Sequence, residues 1–219
     1  MEEKPSANKN RCIILCVNTE NLPPTNKGRN YEIRAMALRD FAGLNRDDDR
    51  LNPFELAQYA KLLVVSYEQI EPFLTEETKL HLIGAGKNSW SGGACSQALP
   101  DGRKLIVLNP THGANRQNAT LMEEISHVFL GHKPSKLAVK TYNKEGIAIA
   151  REYQSEVEEE AYSVGAAALA PFSALRRMVN QGKTSREIAR HFKVSRELVE
   201  FRLKVTRLWE TYKVKVVSG

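Results

Sequence analysis

The chain has 219 residues, of which 42% are hydrophobic, enough for one folded domain with a small additional segment. It contains no run approaching the ~20 apolar residues of a membrane-spanning helix, and its first residues lack the basic-then-apolar pattern of a secretory signal. Three cysteines argue against a disulfide framework, so we expect a cytoplasmic protein without a membrane partner.

Positive charge is concentrated near the C-terminus. Residues 171–219 contain 12 Lys or Arg and 4 Glu, whereas residues 1–170 contain 20 Lys or Arg and 22 Asp or Glu. If the protein contacts DNA, we expect this basic segment to make the contact.

Residues 1–27 are predicted to form a flexible N-terminal extension. The first ten residues are polar, and residues 21–27 are typical of a linker because they include two consecutive prolines. Between these stretches, Cys12 and Cys16 flank three apolar residues, a pattern that favours a short buried strand over half of a metal site.

Two helices are predicted next. The first covers residues 31–42, where apolar residues recur at helical spacing. Its inward-facing positions are expected to be Ile33, Met36 or Ala37, and Phe41. The second begins after Asn52, an N-cap residue followed by proline, and is expected to continue to about Leu63.

A β-hairpin is predicted over residues 89–108. Its turn contains Pro100-Asp101-Gly102, and its second strand contains the apolar run from Leu105 to Leu108.

The segment from Thr120 to His127 carries the strongest chemical signal. It reads as the zinc-peptidase motif H-E-x-x-H with Glu123 in place of the first histidine. On a helix, Glu123 and His127 lie at i and i+4 and share a face, with Glu124 beside them. The opposite, buried face is expected to comprise Leu121, Ile125 and Val128. The competing interpretation is a capping box, in which Thr120 begins the helix and Glu123 only ties down its first turn.

A second acidic helix start follows at Ser155, and the helix is expected to stop at Pro171. One face of this helix would comprise Glu158, Ala161, Tyr162, Gly165 and Leu169. Small residues on that face would let the helix approach another closely and bring Glu158 to a metal. Here too a capping box, formed by Ser155 and Glu158, is the alternative.

The basic C-terminal segment, residues 173–219, has the pattern of a helix-turn-helix. Thr184 would cap its first helix and Ser195 its second. The apolar positions that such a motif packs are Ile188, Ala189, Phe192, Val194, Val199 and Leu203. Arg196 and its neighbours on the second helix would be the residues to meet a DNA major groove. The same packing also occurs in helical caps that never touch DNA.

The order and spacing of these blocks resemble the ImmA/IrrE metallo-endopeptidases, which are zincins. The family pattern R-x-x-F-T-L-A-H-E-x-x-H is similar to the segment from Arg116 to His127, and E-x-x-A-x-x-F-A-x-x-L-L-x-P is similar to the segment from Glu158 to Pro171. The resemblance implies an α+β fold, with a zincin-like domain over residues 28–172 that combines a small antiparallel sheet with a metal-site helix.

The same resemblance implies a site and a function. The metal ligands would be Glu123, His127 and Glu158, and Glu124 would be the general base. The cofactor would be zinc, although two carboxylates also suit harder ions such as manganese. The implied substrate is a protein, specifically a helix-turn-helix repressor of stress or mobile-element genes.

The glutamate at the first ligand position leaves a second hypothesis open. A metal-poor pseudopeptidase could act as a regulatory module that binds protein or DNA. His132 is expected to be an exposed residue after the end of the helix, since it lies five residues from His127 and off its face. The alternative is that the chain turns back at Gly131 and His132 supplies a replacement imidazole.

Overall fold

The computed structural model describes residues 19–94, 98–132 and 155–217. The predicted strand between Cys12 and Cys16 lies outside these residues, as does most of the predicted N-terminal extension. The fold is α+β, as the sequence predicts: helices surround one small sheet. Within the described residues, no helix is long and apolar enough to cross a membrane.

The N-terminal half contains one long helix, three short helices and all three described strands. After a 3₁₀ turn at Thr19–Asn21, the elements are α1 (Asn26–Phe41), α2 (Pro53–Tyr59), β1 (Leu62–Val65), α3 (Tyr67–Ile70), α4 (Glu76–Lys79), β2 (Gly92–Ala94) and β3 (Lys104–Leu108). A 3₁₀ turn at Glu71–Phe73 precedes α4, and a π-helical turn at Leu80–Ala85 follows it. The predicted linker is shorter than expected. Thr25 caps α1, and the last two residues of the linker, 26 and 27, already belong to that helix.

The C-terminal half is helical. It contains α5 (Ala114–Phe129), α6 (Ser155–Leu169), α7 (Phe172–Asn180), α8 (Ser185–Phe192), α9 (Arg196–Val205), α10 (Trp209–Tyr212) and a final π-helical turn at Lys213–Val217. Both predicted caps of the C-terminal segment are confirmed. Thr184 and Glu187 form a capping box on α8, and the Ser195 hydroxyl accepts a hydrogen bond from the Leu198 amide at the start of α9.

The sheet has the strand order β1-β3-β2. The predicted hairpin is confirmed: β2 pairs antiparallel with β3, with Gly92 opposite Leu108. β1 adds a parallel partner on the other side of β3. The second predicted helix ends at Tyr59, earlier than expected, because Lys61 adopts a left-handed conformation before β1.

The core joins the sheet and all the longer helices. It includes Ile106 of β3, Leu121 and Ile125 of α5, Val164 of α6 and the apolar positions predicted for the C-terminal segment. The prediction that Val128 is buried is wrong, since it is 37% exposed near the end of α5.

The predicted inward face of α1 is also wrong. Ile33 and Phe41 are exposed, and the buried residues are Glu32, Ala35, Leu38 and Arg39. Two of these are charged, and both have partners far along the chain. Arg39 donates a hydrogen bond to the Ala168 carbonyl, and Glu32 forms an ion pair with α9. A search for apolar periodicity does not detect a face whose burial depends on such pairs.

Candidate metal centre

Helix α5 carries Glu123 and Glu124 in its second half and His127 in its last turn. The helix begins at Ala114, with Gly113 as its N-cap. Thr120 therefore lies in the middle of the helix, and the capping-box interpretation of Thr120 and Glu123 is wrong. Glu123 and His127 are half-buried on one face, whereas Leu121 and Ile125 are buried on the other.

Helix α6 brings Glu158 to this face. One ligand atom from each of Glu123, His127 and Glu158 can be chosen so that all three atoms lie within 4.8 Å of one another. His127 Nε2 and Glu158 Oε2 lie 3.3 Å apart. The Ser155 side chain lies outside the described structure, so the capping-box interpretation of Ser155 and Glu158 is not tested.

Gly165 allows α5 and α6 to approach this closely. A Cβ atom added at Gly165 would lie 3.1 Å from the Met122 carbonyl oxygen and 3.2 Å from Ser126 Oγ. The Ser126 hydroxyl itself donates a 2.8 Å hydrogen bond to the Met122 carbonyl and is fully buried. The predicted role of small residues on α6 is thus confirmed at this position.

The carboxylates in this cluster are held in unfavourable surroundings for negative charge. Burial, reinforced by Glu124 and Glu158, raises the pKa of Glu123 to about 7. Burial also raises the pKa of Glu124, although His127 and Lys104 of β3 act in the opposite direction. A cation among these groups would keep the carboxylates ionised.

His132 supports His127 from behind, so the prediction that it is exposed is wrong. Gly131 turns the chain with φ +69°, and only 10% of the His132 side chain is accessible. The two Nδ1 atoms of His127 and His132 lie 3.0 Å apart, and His132 Nε2 lies 3.0 Å from Glu160 Oε2. Glu160 in turn forms an ion pair with Arg34 of α1.

These contacts limit which ring nitrogens can carry protons. Burial lowers the pKa of His132, so its ring is neutral at pH 7. A neutral His132 that donates from Nε2 to Glu160 accepts at Nδ1 from His127. Nε2 of His127, the ring nitrogen that faces Glu158, is then the one placed to bind a metal ion. The turn back at Gly131 was one of two alternatives in the sequence, but the contact between His132 and His127 was not predicted.

The donor set fits a divalent metal ion. Two ligand atoms bound at about 2.0–2.1 Å in tetrahedral geometry lie roughly 3.4 Å apart. The 3.3 Å separation of His127 Nε2 and Glu158 Oε2 is close to this value. A ligating histidine also commonly forms a hydrogen bond through its other ring nitrogen, and His127 Nδ1 lies 3.0 Å from His132 Nδ1.

A cavity of about 830 Å³ opens beside Glu123. Tyr162, one turn after Glu158 on α6, lies on its wall. Burial and the nearby Glu123 raise the pKa of the Tyr162 phenol, so its hydroxyl is protonated at neutral pH and can donate a hydrogen bond. The sequence placed Tyr162 on the correct face but gave no chemical reason to single it out.

Comparison with known families supplies one match. Residues 84–204, more than half of the chain, match the Peptidase M78 family, described as an IrrE N-terminal-like domain. The match contains the whole cluster and extends into α9. No match was found among curated proteins. The chain therefore belongs to the Peptidase M78 family, whose members are metallopeptidases acting on protein substrates.

Proposed function

We propose that this protein is a metal-dependent endopeptidase whose active centre is built on α5 and α6. The observation that carries the proposal is the convergence of Glu123, His127 and Glu158 within 4.8 Å, in a chain of a peptidase family. The three side chains come from two separate helices, and all three are half-buried.

Glu123, His127 and Glu158 would hold the metal ion. When bound, the ion would polarise the scissile carbonyl and lower the pKa of a water molecule. Zinc accepts this ligand set, and the two carboxylates also suit manganese.

Glu124 would move the proton. It lies next to Glu123 in sequence but outside the three-residue ligand set. Its raised pKa suits a group that takes a proton from the attacking water and then passes it to the leaving amine. Tyr162, with a protonated hydroxyl in the same cavity, would donate a hydrogen bond to the developing oxyanion.

The substrate would bind as an extended strand. Among the described strands, β2 pairs only with β3, so its other edge can accept a peptide. Gly92 of β2 packs closely against α5: a Cβ atom added at this position would lie only 2.7 Å from Thr120 Cγ2. The substrate class that the family resemblance implies is a helix-turn-helix repressor.

The test combines metal content with cleavage. Protein purified without chelators should contain about one metal ion per chain and should cleave peptides of a proteome-derived library. Glu124→Gln should retain the metal and lose at least about 100-fold in cleavage rate. Glu77→Gln, which changes an exposed carboxylate on α4, serves as the control and should cleave normally.

The other candidate is a regulatory pseudopeptidase, and the glutamate at position 123 favours it. A carboxylate at position 123 adds negative charge to a cluster in which burial and the neighbouring carboxylates already oppose ionisation. The raised pKa of Glu123 reflects this opposition. Absence of bound metal after addition of zinc and manganese, together with absence of cleavage, would support this candidate and overturn the first.

A further inference from the structure

The cavity beside Glu123 has a second wall that comes from the C-terminal segment. One side is formed by the first turns of α5, including Arg116. The other side is formed by Ser195, Glu197 and Leu198 at the start of α9. The end of α9 that would read bases in a helix-turn-helix protein therefore faces the candidate active centre.

Hydrogen bonds connect the wall formed by the start of α9 to α5. The side-chain amide of Asn115 donates a 2.9 Å hydrogen bond to the Val194 carbonyl, and that of Asn118 donates a 3.2 Å bond to the Lys193 carbonyl. Both carbonyls belong to the turn between α8 and α9, where Lys193 has φ +53°. The turn is thus held against the helix that carries Glu123 and His127.

The far end of α9 is anchored as well. Arg202 is 3% exposed and forms a 2.6 Å ion pair with Glu32 of α1. It also donates a hydrogen bond to the Ala170 carbonyl, just after α6. With both ends fixed, α9 presents a preformed surface to the cavity.

The charges on the two walls differ in sign. Glu197 is exposed in the first turn of α9, where its backbone amide and the Ser195 hydroxyl lower its pKa and keep it ionised. On the opposite wall, the Arg116 guanidinium donates a hydrogen bond to the Ser91 hydroxyl, next to β2. Arg196, the neighbour of Glu197, is bound to Glu200 of its own helix at 2.6 Å.

We propose that α9 forms one wall of the peptide-binding cleft and that Glu197 selects a Lys or Arg side chain in the bound peptide. This inference rests on the proposed peptidase function, whose substrate class it narrows. A carboxylate at the cleft rim attracts a basic side chain, and an exposed ion pair of this kind changes affinity by up to about five-fold.

The experiment is affinity selection of a random-sequence peptide library on immobilised Glu124→Gln protein, with the bound peptides identified by mass spectrometry. We expect Lys and Arg to be enriched about five-fold. Adding Glu197→Gln should remove the enrichment, and Glu197→Lys should replace it with Asp and Glu. The matched control is Glu77→Gln in the same background, which should leave the enrichment unchanged.

Equal peptide composition for Glu197→Gln and Glu77→Gln would overturn the inference. Cleavage by the protein with Glu124 intact is scored separately. Enrichment of Lys and Arg that depends on Glu197, without any cleavage, would contradict the peptidase function. It would still support α9 as a wall of the peptide-binding cleft. Cleavage with no basic preference would support the function and overturn the binding wall.

Discussion

The side chains of Glu32 and Arg202 form a 2.6 Å ion pair in the protein interior, although 170 residues separate them in the chain. The second Glu32 oxygen accepts a hydrogen bond from the Phe172 amide. The pair connects α1 to α9, and so ties the C-terminal segment to the rest of the fold.

Breaking this pair should destabilise the whole protein. We expect Arg202→Met to lower the free energy of unfolding by about 3–5 kcal/mol, because it leaves the Glu32 carboxylate buried without its partner. The double variant Glu32→Leu/Arg202→Met should recover part of that loss. Arg186→Met, an exposed arginine on α8, is the control for urea denaturation. A loss no larger than that of Arg186→Met would contradict the structural role.

Removal of Glu158 should empty the metal centre. We expect Glu158→Ala to reduce metal affinity by more than ten-fold, because one of three protein ligands is lost. Elemental analysis after dialysis measures the remaining occupancy. Glu156→Ala changes an exposed carboxylate two residues earlier on α6 and should leave occupancy unchanged. Full occupancy in Glu158→Ala would exclude this residue from the ligand set.

Restoring the missing histidine should strengthen zinc binding. Glu123→His replaces a carboxylate with a neutral imidazole, so repulsion from Glu124 and Glu158 no longer opposes the bound form. We expect a zinc affinity at least ten-fold higher, measured by competition with a chromogenic chelator. Glu123→Gln keeps the shape of the side chain, but a neutral amide is a weak zinc ligand. The zinc affinity of this variant should therefore fall below that of the natural protein. Unchanged zinc affinity in Glu123→His would place residue 123 outside the centre.

Loss of the His132 contact should weaken the centre without removing a ligand. We expect His132→Phe to lower metal affinity about 10- to 100-fold, because the His127 ring loses the hydrogen-bond partner that fixes its orientation. Isothermal titration with zinc is the measurement. His81→Phe changes an exposed histidine and should bind as tightly as the natural protein. Equal affinities in both variants would show that His132 has no positioning role.

A methyl group at position 165 should separate the two metal-site helices. Gly165→Ala places a Cβ atom 3.1 Å from the Met122 carbonyl oxygen, and we expect a loss of about 1–3 kcal/mol of stability with weaker metal binding. Gly93→Ala, where the added atom has open space, is the control. Calorimetric melting of both variants, with and without zinc, measures both effects. Unchanged melting in Gly165→Ala would mean that the helices relax apart at no cost.

The features predicted correctly from sequence depend on local rules. The caps at Thr184 and Ser195 require only residues within one helical turn. The shared face of Glu123 and His127 likewise follows from the i, i+4 spacing of a helix. The sequence also predicted that Glu158 approaches a second helix, because small residues recur on the same face of α6 as Glu158.

The features that sequence reasoning missed depend on distant partners. The buried face of α1 contains Glu32 and Arg39, whose burial depends on groups more than 100 residues away. The burial of His132 depends on Glu160, which lies 28 residues further along the chain. Periodicity treats such polar residues as exposed, because their partners are invisible within a sequence window.

Because α5 packs on α6, metal binding at the candidate centre should raise the stability of the fold. The centre's three donors come from two helices, so a bound ion would bridge them and add its binding free energy to that of folding. At a free metal concentration 100 times Kd, the gain is about 2.7 kcal/mol. Thermal melting in a series of divalent ions would therefore rank their affinities for this centre without any knowledge of a substrate.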